Sequence, residues 1–230
     1  QVGPRRQEKD VALTFTRTAR SLGLISAIGF ALLCAAYAVT LSVGLLSLPS
    51  PQQPIADPLF SSLEIMIILM APLMVGMMCA VHAWAPPELK ALSMMSLVFM
   101  SLLAGLTSGV HFVILTVSRE AAFSEAAWTP ALLSFRWPSV AYALDILAWD
   151  VFFPLSVFFA APIFSGSRLA NWIRALLIAS GALALAGLGG VFFGDMQLRN
   201  IGIIGYVGVF LIVAVLLAVQ FHRTKPGTAG

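Results

Sequence analysis

The sequence LFSSLEIMIILMAPLMVGMMCAVHAW, residues 59–84, decides the fold class. Apart from Glu64 and His82 it contains no Asp, Glu, Lys, Arg or His. About 20 consecutive, mostly apolar residues are enough for an α-helix to cross the hydrocarbon core of a bilayer. The stretch therefore predicts a membrane-spanning helix that carries a carboxyl group.

Five further stretches have the same character, so we predict an all-α integral membrane protein with six transmembrane helices in a compact bundle. The predicted helices cover approximately 22–48, 59–84, 89–118, 138–164, 170–194 and 200–222. Of the 230 residues, 60% are hydrophobic and 10% are charged, whereas a soluble domain carries about 25% charged residues. The first stretch is longer than the apolar core of a signal peptide, so we interpret it as a permanent helix.

We expect no soluble domain. Residues 1–21 are predicted to form a basic cytoplasmic segment, residues 22–222 the transmembrane domain and residues 223–230 a cytoplasmic tail. Prolines mark the connections after the first and second helices, and the loop between the third and fourth helices is long enough for a short interfacial helix around residues 120–133.

The distribution of Lys and Arg predicts the orientation. Cytoplasmic segments are enriched in both residue types. With the N-terminus inside, the inner segments hold Arg5, Arg6, Lys9, Arg17, Arg20, Lys90, Arg168, Arg174, Arg223 and Lys225, and the outer ones hold Arg119, Arg136 and Arg199. We therefore expect both termini in the cytoplasm, most naturally at a bacterial inner membrane.

Four ionisable side chains fall inside the predicted helices, where an isolated charge costs at least a few kcal/mol. At about 1.5 Å per helical residue, Glu64 lies about 7 Å, His111 and Asp145 about 10 Å, and Asp150 about 18 Å below the outer surface. All four thus belong to the outer half or the midplane. This asymmetry predicts a polar pocket open to the outer side.

Helical spacing indicates which side chains share a face. Tyr142, Asp145 and Trp149 follow the i, i+3, i+7 pattern of one helix face. On the third helix, Thr107 and Ser108 form a polar strip with His111. Asp150 lies five residues after Asp145, about 140° around an α-helix, so we expect it to make a separate contact, with the fifth or sixth helix.

The same residues also have purely structural interpretations. A His–carboxylate hydrogen bond can simply hold helices together, and a Ser108–His111 pair at i+3 can be a dyad or, more often, a serine bonded to its own helix. Asp195 and Arg199, spaced i, i+4, are expected to form a surface ion pair or the rim of the pocket. The small residues Gly105 and Gly109 are expected to pack against a neighbouring helix.

The sequence contains no phosphate-binding Gly-Lys-Ser/Thr loop, His-Glu-x-x-His motif or Gly-x-Ser-x-Gly elbow. We predict no metal site and no cofactor. The expected partners are membrane lipid, a small-molecule or ion ligand, and a second copy of the chain or another membrane subunit; nucleic acid is not expected.

Three functions remain open. Transport or permeation of protons, a small cation or a small solute is favoured by the buried acids and by Pro72, Pro154 and Pro162 in the same helices. A membrane-embedded enzyme or a lipid- or lipophilic-ligand-binding protein could use the same Glu-His-Asp pocket for acid–base chemistry. An accessory or sensory subunit could use the buried groups to fix helix contacts.

Overall fold

The computed structural model describes residues 15–50 and 53–226 and confirms the six-helix prediction. Six helical units are long and apolar enough to cross a membrane. We number them one to six: Arg17–Leu46, Leu59–Trp84, Pro87–Arg119, Val140–Ile163, Arg168–Phe193 and Met196–Arg223. Strands are absent from the described ranges.

Several units are composite. Helix three consists of a 3-10 turn Pro87–Leu89, the α-helix Lys90–Leu115 and a 3-10 turn Val117–Arg119. Helix four is α-helical over Val140–Ile146 and Phe153–Ala160, with a π-helical segment Leu147–Phe152 between them and a 3-10 turn Ala161–Ile163 at its end. Helix five is Arg168–Gly187 followed by Gly189–Phe193, and helix six contains Met196–Arg199, Asn200–Ile203, the π-helical segment Ile204–Val209 and Phe210–Arg223.

Local chemistry sets the helix ends. The side chains of Thr16, Ser139 and Ser167 each accept a hydrogen bond from a backbone N–H three residues later, at 3.1 Å, and so begin helices one, four and five. Gly194, with φ of +71°, ends helix five in the left-handed conformation that glycine adopts without strain. The sequence therefore specifies where these helices start and stop.

The helices form a ring in which each contacts the next along the chain and helix six returns to helix one. Arg20 closes the ring, because its Nε and Nη2 atoms donate to the carbonyl oxygens of Phe221 and His222 at 3.1 and 2.8 Å. We call this end of the bundle the terminal end. The opposite end, with the connections after helices one, three and five, is the distal end.

The structure changes the expectations about glycine packing and about the third loop, whereas the two expectations about position in the membrane stay predictions. Gly105 and Gly109 face outwards with no heavy atom of another element within 4 Å of an added Cβ, so the helix-packing prediction is wrong for them. In the third loop, two one-turn helices occur, Ala121–Ser124 and Thr129–Leu132; an interfacial position for them stays a prediction. The membrane orientation also stays a prediction, and Arg5, Arg6 and Lys9 lie outside the described residues.

Candidate functional site

His111 lies between two carboxyl groups. Its Nδ1 atom is 2.6 Å from Oε2 of Glu64 on helix two, and its Nε2 atom is 3.3 Å from Oδ1 of Asp145 on helix four. The second contact lacks the alignment of a hydrogen bond, and both of its atoms are sealed from solvent. The three residues named together from the sequence thus touch in the structure, and all three are buried.

Arg199 extends this group. Its Nη2 atom donates to Oδ2 of Asp145 at 2.8 Å, and its Nε atom donates to Oδ2 of Asp150 at 3.0 Å. The guanidinium is buried, with 8% of the residue exposed, and Asp150 has no exposed surface. We use the name ion network for the five residues in contact order: Glu64, His111, Asp145, Arg199 and Asp150.

The placement of Asp150 depends on the π-helical segment of helix four. In a regular α-helix, residues five apart diverge by about 140°. In Leu147–Phe152 the hydrogen bonds span five residues: the N–H of Phe153 donates to the carbonyl oxygen of Ala148. The wider π turn brings Asp145 and Asp150 onto neighbouring positions, so one guanidinium reaches both. Asp150 does face helices five and six, near Gly187 and Gly202, but its contact is not separate.

The expected Asp195–Arg199 pair does not form. Asp195 is exposed, and its Oδ1 atom accepts a hydrogen bond from the backbone N–H of Gln197 at 3.0 Å, which begins the turn Met196–Arg199. Arg199 points inwards because two buried carboxylates compete better for the guanidinium than one exposed carboxylate does. The prediction of a surface pair is therefore wrong, and Arg199 borders the cavity from the interior of the bundle. A position of Asp195 and Arg199 at the pocket rim stays a prediction.

A partly open cavity of about 290 Å³ lies against the ion network. Four members of the network border it, namely Glu64, His111, Asp145 and Arg199; Asp150 lies behind Arg199 and does not. The other lining residues are Phe30, Cys34, Tyr37, Pro54, Ile55, Phe60, Leu63, Ile67, Met70, Phe135, Tyr142, Trp149, Ile203, Tyr206 and Val207. The cavity is thus polar on one wall and mainly apolar or aromatic on the others.

Tyr142 and Trp149 line the cavity together with Asp145, as their spacing predicts. The guanidinium carbon of Arg199 lies over the ring of Tyr142, 4.6 Å from its centroid. The indole N–H of Trp149 donates to Oγ1 of Thr107 at 3.0 Å, and both side chains are buried. Thr107 therefore fixes the orientation of a cavity wall and does not itself border the space.

Ser108 belongs to neither the network nor the cavity lining. Both ring nitrogens of His111 face carboxyl oxygens, at 2.6 and 3.3 Å, so no nitrogen remains for the hydroxyl of Ser108. The minor interpretation of a Ser108–His111 dyad is therefore wrong.

The network carries excess negative charge unless it binds protons. With three ionised carboxyls and a charged Arg199, its net charge is −2 when His111 is neutral and −1 when His111 is protonated. An uncompensated charge in a low-dielectric interior costs several kcal/mol. Electrostatics therefore favours the uptake of one or two protons, or of a bound cation.

Aromatic side chains of the cavity wall adjoin a surface ion pair, since the guanidinium carbon of Arg119 lies 6.0 Å from the ring centroid of Phe60. Phe60 and Phe135 meet edge to face, with centroids 6.5 Å apart, and Phe135 also lies 5.0 Å from the His111 ring centroid. Arg119 contacts Asp57 at 3.2 Å and donates to the hydroxyl of Ser61 at 2.8 Å. Hydrogen bonds from Ser61, together with the charge of Arg119, hold the pKa of Asp57 below its usual range.

The terminal half of the bundle has a different interior. Its centre is filled by fully buried side chains that include Met74, Met77, Met78 and Met100. The buried hydroxyls of Ser96 and Ser156 form a local pair there, with Ser156 donating to the carbonyl oxygen of Ser96 at 2.8 Å. Within the described residues, no buried acid, Lys or Arg continues the ion network towards the terminal end.

Neither metal ligation nor similarity to known proteins assigns the site. Among the described residues, no group of three or more His, Cys, Asp and Glu side chains is arranged to hold a metal ion. A scan against protein-family models and searches of curated proteins and of solved structures found no match. The site is accordingly interpreted from its own geometry.

Proposed function

We propose that the protein is a proton-linked transporter of a small solute in the bacterial inner membrane, with both termini in the cytoplasm and the cavity open to the outside. The observation that carries this proposal is the cavity itself, which touches four members of the ion network. A solute in the cavity is therefore in contact with groups whose net charge depends on bound protons.

Two π-helical segments beside the cavity support a conformational change there. The π-helical segments Leu147–Phe152 and Ile204–Val209 contain Trp149 and Tyr206, two residues of the cavity wall whose ring centroids are 4.9 Å apart. π-Helical turns and interrupted helices occur frequently at functional sites, and in transporters they adjoin the substrate. We place the hinges of the transport cycle in these two segments.

The buried apolar side chains of the terminal half determine what else transport requires. In the arrangement described, buried methionines close the path from the cavity to the terminal end. Transport therefore requires a second arrangement, in which the distal end closes and the terminal half opens. An aqueous channel through the present structure does not fit this interior.

The test is solute-driven proton movement in liposomes that contain the purified protein and a trapped pH dye. Phenyltrimethylammonium, 2-phenylethanol and phenylacetate are added in turn on one side, with protein-free liposomes as the baseline. We expect at least one solute to change the internal pH through the wild-type protein, and Glu64→Gln and Asp145→Asn to abolish the change. Glu88→Gln, an exposed acid outside the cavity, is the matched control.

A second function is favoured by one specific observation: among the described residues, no buried acid, Lys or Arg lies in the terminal half. A membrane-embedded enzyme or lipophilic-ligand-binding protein needs access from one side only. Binding of a solute without any proton movement in liposomes would contradict transport and support this alternative.

A further inference from the structure

We propose that the solute is a small amphiphilic amine whose ammonium group binds at Glu64 in exchange for a proton. This inference names the ligand of the pocket assigned above and rests on the proposed function only in taking the cavity as the solute site. Three features of the cavity carry it: the distribution of charge, the free polar atoms and the aromatic walls.

The charges of the network disfavour an anionic ligand. The guanidinium of Arg199 is already shared between two aspartates, at 2.8 and 3.0 Å. Both ring nitrogens of His111 face carboxyl oxygens. The Nη1 atom of Arg199 makes no hydrogen bond among the described residues, but two carboxylates already offset the charge of the guanidinium. The excess negative charge of the network therefore repels an anion and attracts a cation.

The free polar atoms are those that an ammonium group needs. Among the described residues, the Glu64 carboxyl makes one hydrogen bond, from Oε2 to His111, and Oε1 makes none. In the same ranges, the hydroxyl groups of Tyr37, Tyr142 and Tyr206 make no hydrogen bond, and all three tyrosines line the cavity. One carboxylate oxygen and three hydroxyl oxygens are acceptors for the N–H groups of a protonated amine.

The remaining walls suit an apolar or aromatic body. Phe30, Phe60, Phe135 and Trp149 line the cavity with aliphatic side chains such as Ile67 and Val207. Aromatic faces also attract a cation within about 6 Å of the ring centre. The volume of about 290 Å³ lies at the small end of the range for ligand pockets, so the ligand is smaller than a typical drug molecule.

Binding is an exchange in which charge is conserved. Before binding, Glu64 holds a proton; the incoming ammonium ion brings one positive charge, and the carboxyl releases its proton towards the open distal end. The titratable and charged groups that line the cavity together with Glu64 are His111 on helix three, Tyr142 and Asp145 on helix four, Arg199 and Tyr206 on helix six, and Tyr37 and Cys34 on helix one. No bond other than O–H of the carboxyl is broken.

Calorimetry on the full chain in detergent tests this with three probes of nearly equal shape: 2-phenylethylamine, 2-phenylethanol and phenylacetate. We expect the amine to bind at least about tenfold more tightly than the alcohol, because hydrogen bonds to a charged donor are roughly twice as strong as neutral ones. Repeating the titration in buffers of different ionisation enthalpy should show about one proton released per amine bound. Equal binding of the alcohol, preference for phenylacetate, absence of proton release, or no binding of any probe would overturn the proposal.

Substitutions test whether Glu64 is the group that exchanges its proton for the amine. Glu64→Gln preserves the shape of the side chain, and we expect it to remove both the preference for the amine and the release of the proton. Glu88→Gln removes an exposed acid at the terminal end and should leave both unchanged. If Glu64→Gln does not fold, Tyr206→Phe, which removes one free hydroxyl from the wall, should weaken amine binding more than alcohol binding; an equal effect on both probes contradicts the inference.

The outcomes separate this inference from the transport proposal. If amine binding releases a proton but no solute drives proton movement in liposomes, the ligand class stands and transport fails. If another solute drives proton movement and the amine does not bind, the transport proposal is supported and the assignment of an amine as ligand is wrong.

Discussion

Arg199 and Asp150 form an ion pair inside the bundle: the Nε atom of the arginine lies 3.0 Å from the Oδ2 atom of an aspartate without exposed surface. The pair joins the start of helix six to the π-helical segment of helix four. Since Asp150 does not border the cavity, the pair also extends the charged groups beyond the cavity wall into the contact with helices five and six. A change of protonation at the cavity is thus coupled electrostatically to a helix interface.

Removal of Arg199 should destabilise the protein strongly. Arg199→Gln leaves Asp145 and Asp150 buried without their cation, and breaking a buried ion pair typically costs about 3–5 kcal/mol in the free energy of unfolding. Unfolding titrations in mixed micelles measure the loss. The triple variant that adds Asp145→Asn and Asp150→Asn should recover much of it, and no recovery would contradict the electrostatic cause. Arg119→Gln, at an exposed pair, is the control and should change little.

Gly202 should not tolerate a larger residue. An added Cβ would lie 2.8 Å from Oδ1 of Asp150 and 3.3 Å from a ring carbon of Tyr206. Because Asp150 is held by Arg199, we expect Gly202→Ala to cost about 1–3 kcal/mol of stability, and to weaken solute-driven proton movement. Gly105→Ala is the matched control, since its Cβ would meet open space. Equal stability of the two variants would refute the close approach.

The hydrogen bond between Thr107 and Trp149 should hold helix three to helix four. Thr107→Val keeps the shape but leaves the buried indole N–H of Trp149 without an acceptor, a loss of about 1–3 kcal/mol. Thr107→Ser retains the hydroxyl and should be nearly as stable as the wild type. Unfolding followed by tryptophan fluorescence distinguishes the two, and equal destabilisation by both substitutions would point to lost methyl contacts.

Asp57 should contribute to stability only when it is ionised. Its pKa is lowered by hydrogen bonds from Ser61 and by Arg119, so its contribution is present above the ordinary pKa of about 3.9 and is lost as the pH falls through the lowered value. The difference in melting temperature between wild type and Asp57→Asn should therefore be constant near neutral pH and vanish in acid. A difference that persists at low pH would show a contribution other than the ionised carboxylate.

The sequence predicts the membrane-spanning helices well because their signal is local. Apolar length, N-capping serines and proline breaks act within about 20 residues, and the six helical units follow the predicted ranges. A constant rise per residue also places Glu64, His111 and Asp145 at a similar depth, and the structure brings them into contact. Because a charge in lipid is costly, these three side chains are expected to face a shared interior.

The two errors at the network arise from non-local physics. The π turn that carries Asp150 next to Asp145 has only an indirect signal in the sequence: Pro154, four residues after Asp150, has no N–H to donate to the Asp150 carbonyl. The i, i+4 spacing pairs Arg199 with Asp195, although three buried acids beside a single His favour a further cation in the interior. A balance of buried charge identifies Arg199, whereas i, i+4 spacing does not.

The apolar side chains around Met74, Met77 and Met100 have an electrical consequence. In a membrane, voltage falls mainly across low-dielectric material, and moving one elementary charge through the whole of it is worth about 2.3 kcal/mol per 100 mV. With the distal end open, a proton or cation that reaches Glu64 has crossed little of that field. In the transport cycle that we propose, the voltage would therefore act mainly on the rearrangement that opens the terminal half, and so on the rate of turnover more than on the affinity for the solute.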